Sequence, residues 1–451
     1  MRRTGFRLLA ASSLLLAAMA GAATRPHYGG TLHVCLRATP GSLDPSQAGW
    51  AGSTNLFRLL FDTLVTLDDQ GRPQAALASA WEAGSGNQRW QFTLRRGVTF
   101  SDGTPLTSDL AATSLRATNP AWKVFSSGDA VVIERDSPAP DLPAELALGR
   151  NGIAKRENGK VFGTGPFTVT QWDPGKKLVA TARDDYRGGR PFLNSIEIEL
   201  GKNSRDQMVA FDLGKAQLVE ISPEQAHRAA TEGRRIETSA PVELLALVFD
   251  RDIQSADDAK EREALSLSID RRVLNSVALQ NGGEPAGSLL PNWMTGYGFL
   301  FPEEVDLVRA QQERAEIPET RVWNLGFDAK DPIEQLLAER IVLNAREAGL
   351  RLQLATGPSD LKLVRVALAS LDAEVALAEL TSSLGIPPPK MNSDSVDDMY
   401  AAESALMKSR RIIPLLHLRN AWAVSKTVRD WTRTRDAAWR LPDVWLAAER
   451  P

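Results

Sequence analysis

A single cysteine, Cys35, stands in the 451-residue chain, so no intrachain disulfide can form and stability has to come from packing. A buried strand position is expected for it, because a free thiol packs as a small hydrophobe. Only four histidines occur, His27, His33, His227 and His417, and no two stand at i, i+4 spacing with an acid nearby; a zinc or iron site is therefore not expected. Glycine loops of the G-x-x-x-x-G-K-[ST] or G-x-G-x-x-G type are missing, so nothing is set up to cradle phosphates and no cofactor is expected. Charge of one sign is not in excess either. The 53 basic and 56 acidic residues leave a formal −3, which excludes the basic stripe that nucleic acid or an anionic membrane surface would need. Internal repeats and low-complexity tracts are absent, and with them a solenoid.

One apolar run stands out, from Leu8 to Ala20, preceded by Arg2, Arg3 and Arg7 and followed by Gly21, Ala22 and Ala23. It is shorter than the ~20 residues of a membrane span and reads as a secretory signal peptide, residues 1-22, cleaved after Ala20-Gly21-Ala22. Removing three arginines takes the balance to 50 against 56, or −6. The Arg2-Arg3 pair alone does not complete a twin-arginine motif, so either export route stays open.

The remaining chain has the length of two or three structural units. Leu32, Val34 and Leu36 alternate as in a half-buried strand, and Leu56, Leu59, Leu60 and Leu64 follow helical spacing. Trp90, Phe92 and Leu94, the Arg96-Gly97 turn, then Val98 and Phe100 predict a hairpin. Thr107 or Ser108 should cap a helix that ends before Pro120. In Gly163-Thr164-Gly165-Pro166 the glycines are expected to supply unusual backbone angles before a hairpin formed by Phe167 to Trp172 and Leu178 to Ala182. Ile196 and Ile198, then Leu244, Ala246 and Val248, alternate again. A helix from Ala259 through Asp270 should turn Lys260, Glu261 and Arg262 to water, another should cover Pro332 to Ala348, and Leu361 to Leu380 fits strand or helix. Hairpins mixed with helices indicate an α/β or α+β protein.

Catalytic patterns are sparse. Ser359-Asp360-Leu361-Lys362 has the S-x-x-K spacing in which a lysine one helical turn away activates a serine, so a secreted serine hydrolase using Ser359 and Lys362 is the enzymatic alternative. The companion S-D-N and K-T-G elements are missing. Trp81 and Trp90 fall in patterned, core-like segments, whereas Trp50 and Trp293 sit in loops, where an aromatic wall of a binding cleft is commoner.

An ordered set of short motifs resembles the family 5 extracellular solute-binding proteins of ABC importers for oligopeptides, dipeptides and nickel complexes. It comprises Gly29-Gly30-Thr31-Leu32, Leu43-Asp44-Pro45, Leu77 to Glu82, Trp90 to Thr107 and Gly163 to Phe167. Asp185-Tyr186-Arg187-Gly188-Gly189-Arg190-Pro191, Ala264 to Arg271 and the Pro285, Pro291 region complete it, with looser matches at Arg411 to Leu415 and Asp443-Val444-Trp445. The resemblance implies an α/β, two-lobed periplasmic-binding-protein-like fold with a reduced inserted third domain, of the class II, peptide-binding-protein-like kind. Lobe I would be 23-50 plus 163-246 plus 421-451, the small inserted domain 51-162, and lobe II 247-420. It further implies a periplasmic, monomeric, non-catalytic receptor that closes on a peptide-like or other small solute and hands it to ABC transporter permease subunits. Loop position and resemblance together point to Thr39, Ser42, Trp50, Phe249, Trp293, His417 and Arg419 as ligand contacts. Near Leu371 to Gly385 there is no Asp-Tyr-x-Asp-Pro, whose acid holds the peptide amine in many relatives; Asp372 is the acid that could stand in. Gln217 replaces a usual aspartate, as a structural difference. A degenerate binder acting as sensor or interaction module is the remaining alternative.

Overall fold

The computed structural model describes residues 25–47, 54–391, 395–436 and 438–447, so the expected leader and Trp50 lie outside the described residues. An eleven-stranded mixed sheet forms the frame. Thr31–Cys35 runs parallel to Ser195–Glu199 on one side and to Leu218–Ile221 on the other. Its alternation does what period two requires: Leu32 and Val34 enter one core while Cys35 is buried on the opposite face beside Val219 and Ala423. Phe167–Asp173 and Lys177–Ala182 form the expected hairpin at the sheet edge.

Two long antiparallel strands, Ile236–Phe249 and Ile412–Val424, run through the middle. At one end Trp422 and Val424 belong to a core shared with Leu32 and Ile196. At the other, Leu245, Leu247, Phe249, Ile413 and Leu416 belong to a separate core built on Val322–Gly326, Leu361–Ala367 and the helix Pro332–Glu347. Between the two ends the register slips, from Thr238 to Pro241 and again to Glu243. Proline has no N–H to give the ladder, which accounts for an interruption at Pro241.

A third core, running from Leu64 to Ile153, is enclosed by a four-stranded antiparallel sheet and the helix Ser108–Thr118. Thr107 caps that helix by accepting from the Leu110 N–H at 3.3 Å, and the helix stops at Thr118, before Pro120.

Several local expectations are corrected. Arg89–Leu94 does not fold back on Val98 and Phe100; it pairs with Ala78–Ala83 and Ala130–Glu134, because these flanking strands satisfy both of its edges. Gly163 and Gly165 do not have positive φ. They are required for close approach, since a Cβ at Gly163 would lie 1.9 Å from the Leu60 carbonyl oxygen. The helix beginning near residue 259 is two, Ala256–Ser268 and Arg271–Ala278, with Asp270 capping the second. Glu261 and Arg262, expected in water, are 4% and 0% exposed. Arg262 is bonded at both ends by Asp258 and lies 4.1 Å over the Phe249 ring, a charge neutralised inside the core. Leu361 to Leu380 contains both forms, a strand to Ala367 and a helix Ala373–Ser383.

Candidate functional site: a cleft at the strand joint

The register slip faces a cavity of about 370 Å³. Arg37 and Glu220 line it from the first half of the sheet, Glu243 and Arg365 from the second, and Arg419 to Trp422 where the second long strand passes between them. A neighbouring cavity of about 480 Å³ shares Arg58, Leu67, Ala147, Leu371 and Asp436 with it, so the two adjoin.

Charge pairs dominate the inner walls. Glu220 accepts from the Arg37 backbone N–H at 2.7 Å and from its Nε at 3.4 Å. Arg365 Nε donates to Glu243 at 2.5 Å, a pairing fixed by the register of their strands, which places Glu243 and Leu245 opposite Ala367 and Arg365. Burial lowers the Arg365 guanidinium's proton affinity, but the Glu243 carboxylate outweighs it and the group ends above its ordinary value. Arg58 meets Asp436 at 2.8 Å. Burial raises the Asp436 carboxyl, yet Arg58 more than offsets this and holds it below the usual range. In the outer cavity, burial pushes Asp62 up despite Arg187 and Tyr186.

The small unit reaches across to the second half at three places. The turn between Val65–Leu67 and Pro73–Ala75 brings Gly71, at φ +79°, against the Leu371 and Asp372 backbone. Leu67, Ala144 and Leu148 pack on Val375, and Arg150 is bonded to Glu379.

Of the residues expected at a site, Arg419 lines the inner cavity, donating to Ser239 O at 3.2 Å and to Glu284. Thr39 is exposed beside Gly201, two residues from Arg37; Ser42 accepts from the Asp44 N–H at 3.0 Å within its own loop. Asp372 follows the lining residue Leu371 and caps the helix Ala373–Ser383 through the Val375 N–H at 3.0 Å. Trp293 donates its indole N–H to Pro241 O at 2.9 Å and so braces the slip in the long strand. Phe249 and His417 are core residues, 1% and 4% exposed. Phe249 packs edge-on against Trp323, and His417 Nε2 lies 3.2 Å from Leu289 O, its pKa lowered to about 4 by burial. Gln217 is structural: its side chain accepts from the His33 N–H at 2.9 Å.

Ser359 and Lys362 do not share a helical turn. Lys362 is in the strand Leu361–Ala367, opposite Val248, and Ser359 precedes that strand with its Oγ buried and without a hydrogen-bond partner. The geometry by which the lysine would activate the serine is therefore missing.

Arg37, Arg58, Glu220, Glu243, Arg365 and Asp436 were not singled out from the sequence. A signal existed for two of them, since Glu243 and Arg365 each interrupt an apolar strand run, where a charge needs a partner.

Paired half-sheets joined by two continuous strands, with a polar gap at the joint, define a two-lobed binding protein of the periplasmic type. Among solved structures, a dipeptide binding protein from Pseudoalteromonas sp. SM9913 in complex with Met-Leu superposes with a TM-score of 0.79 at 17% identity, over 92% of this chain and 100% of that one. The family model for bacterial extracellular solute-binding proteins, family 5 Middle, matches residues 72–393, and the chain belongs to that family. It is similar to the uncharacterized protein YhjP of Bacillus subtilis (strain 168), 36% identical over 200 residues, 41% of this chain and 34% of that protein. It is also similar to the periplasmic murein peptide-binding protein MppA of Escherichia coli (strain K12), 23% identical over 343 residues, 66% of this chain and 63% of that protein. The match thus spans between a third and two thirds of these relatives' length.

Proposed function

We propose that the chain is the extracytoplasmic receptor of an ABC importer, exported by its leader, capturing a peptide-like or other small solute between two lobes and releasing it to permease subunits. The observation that carries this reading is the cavity at the interrupted stretch of the two long strands, with walls supplied by both halves. Family membership supports it, as do the names of the relatives, which include binding proteins for murein peptide, oligopeptide and nickel.

Separate cores support a division into lobe I, a small inserted domain and lobe II, with two clusters in lobe II and with Leu56 to Phe61 packing in the lobe I core. The hinge is assigned to Thr238 to Glu243 and the facing Leu418 to Ala421, earlier in the first long strand than the boundary at 246/247, because Leu244 and Leu245 already pack with lobe II residues. A solute touching both walls stabilises the closed form by its differential contacts there, so affinity and closure are one quantity. Binding without bond cleavage agrees with a Ser359 hydroxyl that no base hydrogen-bonds.

Native mass spectrometry of the protein purified from its own host tests the reading. A retained small molecule is expected. A solute-free spectrum, together with no thermal shift across peptide, sugar and metal-chelate panels, would remove it.

A further inference from the structure

We propose that the inner cavity takes an anionic solute, one bearing a carboxylate or comparable oxyanion that Arg37 and Arg365 hold from opposite walls, with no free amine required. This rests on the receptor reading above and names the class of its solute.

Four guanidinium groups line the cavity, those of Arg37, Arg58, Arg365 and Arg419, with no lysine or histidine among the lining residues. Three carboxylates line it, Glu220, Glu243 and Asp436, and each is already bonded by one of those arginines. With four guanidinium groups against three carboxylates, each of which an arginine already neutralises, a cationic solute would add to an excess of positive charge. Asp372, the acid that the family resemblance offers for an amine, is not among the lining residues and accepts from the helix it caps.

The arginines, by contrast, keep donors in reserve. Arg37 and Arg365 each engage their carboxylate through Nε, and among the described residues neither has a partner for Nη1 or Nη2. Arg37 is an exposed residue, and neither Nη of Arg365 is among the buried atoms that lack a bond, as expected for a group open to the cavity. Paired N–H groups on a planar fork are the arrangement that carboxylates and other oxyanions fit best. Arg37 follows the strand Thr31–Cys35 of the first half, whereas Arg365 is in Leu361–Ala367 of the second, so an anion bonded to both would also tie the two walls together.

The outer cavity has the reverse balance, with Asp62, Asp68, Asp69, Asp436 and Asp443 against Arg58, Arg187 and Arg440. There Arg187 holds Asp62 and Arg72 holds Asp68. The anion-accepting character is therefore confined to the inner chamber.

The test is chemical identification of the solute carried by the full-length protein from its own host, with one dipeptide, Ala-Leu, assayed by calorimetry as the free, N-acetyl, C-amide and doubly blocked forms. An acidic co-purified solute is expected, and so is binding of N-acetyl-Ala-Leu at least equal to that of the free form. The amide should be weaker by about tenfold or more, the scale of a lost charged hydrogen bond. Arg37→Gln, at a half-exposed position where folding is not at risk, and Arg365→Gln should each abolish the preference for the carboxylate. A neutral or cationic co-purified solute, or equal binding of acid and amide, overturns the proposal and leaves the receptor reading standing. No solute and no binding by any of the four forms removes both.

Discussion

Replacing Gly71 by alanine should hold the cleft open. The residue sits at φ +79°, and a Cβ there would lie 2.5 Å from the Leu371 carbonyl oxygen and 2.9 Å from its carbon. Both are backbone atoms, which cannot rotate away as a side chain could. The left-handed backbone alone costs a non-glycine residue about 1 kcal/mol, in the open and the closed form alike. The collision exists only when the turn rests on Leu371, so it acts on closure. Backing the turn away uncovers Val375, now packed on Leu67, Ala144 and Leu148, a loss of about 2 kcal/mol for an aliphatic side chain. It also separates Arg150 from Glu379, which are 34% and 27% exposed, worth at most about 1 kcal/mol at such a site. Together these contacts amount to about 2–3 kcal/mol, or roughly thirty- to a hundred-and-fifty-fold in solute affinity. Calorimetry with the retained solute reads the affinity, and small-angle scattering of the solute-free protein reads the opening as a larger radius of gyration. An alanine variant with unchanged affinity and unchanged radius would refute the reasoning, because the contacts across the gap would then contribute nothing to closure.

Stability should fall with acidity through His417. Its folded pKa is about 4 against an ordinary 6.5, so the unfolded chain binds the extra proton between those values. The contribution is complete above about pH 6.5 and is lost as pH falls toward 4, to the extent of about 3 kcal/mol; urea unfolding of His417→Gln should lack this slope. Arg262→Ala strands the buried Asp258 carboxylate and should cost about 3–5 kcal/mol in denaturant unfolding, whereas a loss under 1 kcal/mol would contradict the role assigned to the pair. Ser359→Ala removes a buried hydroxyl that has no partner, so the melting temperature should stay level or rise, with solute affinity unchanged. A drop of several degrees, or loss of an esterase activity in this variant, would show that the hydroxyl does something the fold does not reveal.

Much of the fold was legible because its signals are local. The alternation of Leu32 and Val34, the cap at Thr107 and the stop before Pro120 each depend on residues within a few positions of one another, and each appears where the pattern places it. The misreadings arose where distant chain decides. Arg262 reads as a solvated charge until Asp258 and Phe249 are seen around it, and Gly163 reads as a turn residue until the Leu60 carbonyl is found against it. Trp293 reads as a loop residue, as a cleft aromatic would be, yet it lies in the short helix Asn292–Thr295 with its indole N–H bonded to Pro241.

By itself, the sequence determined those strands, helices and capping turns whose signals are local, and through the order of its short motifs the family, since period and cap chemistry are properties of neighbouring residues. The cleft was decided only by the tertiary structure. Arg37 meets Glu220 across 183 positions and Arg365 meets Glu243 across 122. Which charges face one gap follows from the order of strands in the sheet and the slip at Pro241, and no stretch of chain short enough to be read as a motif contains both members of either pair.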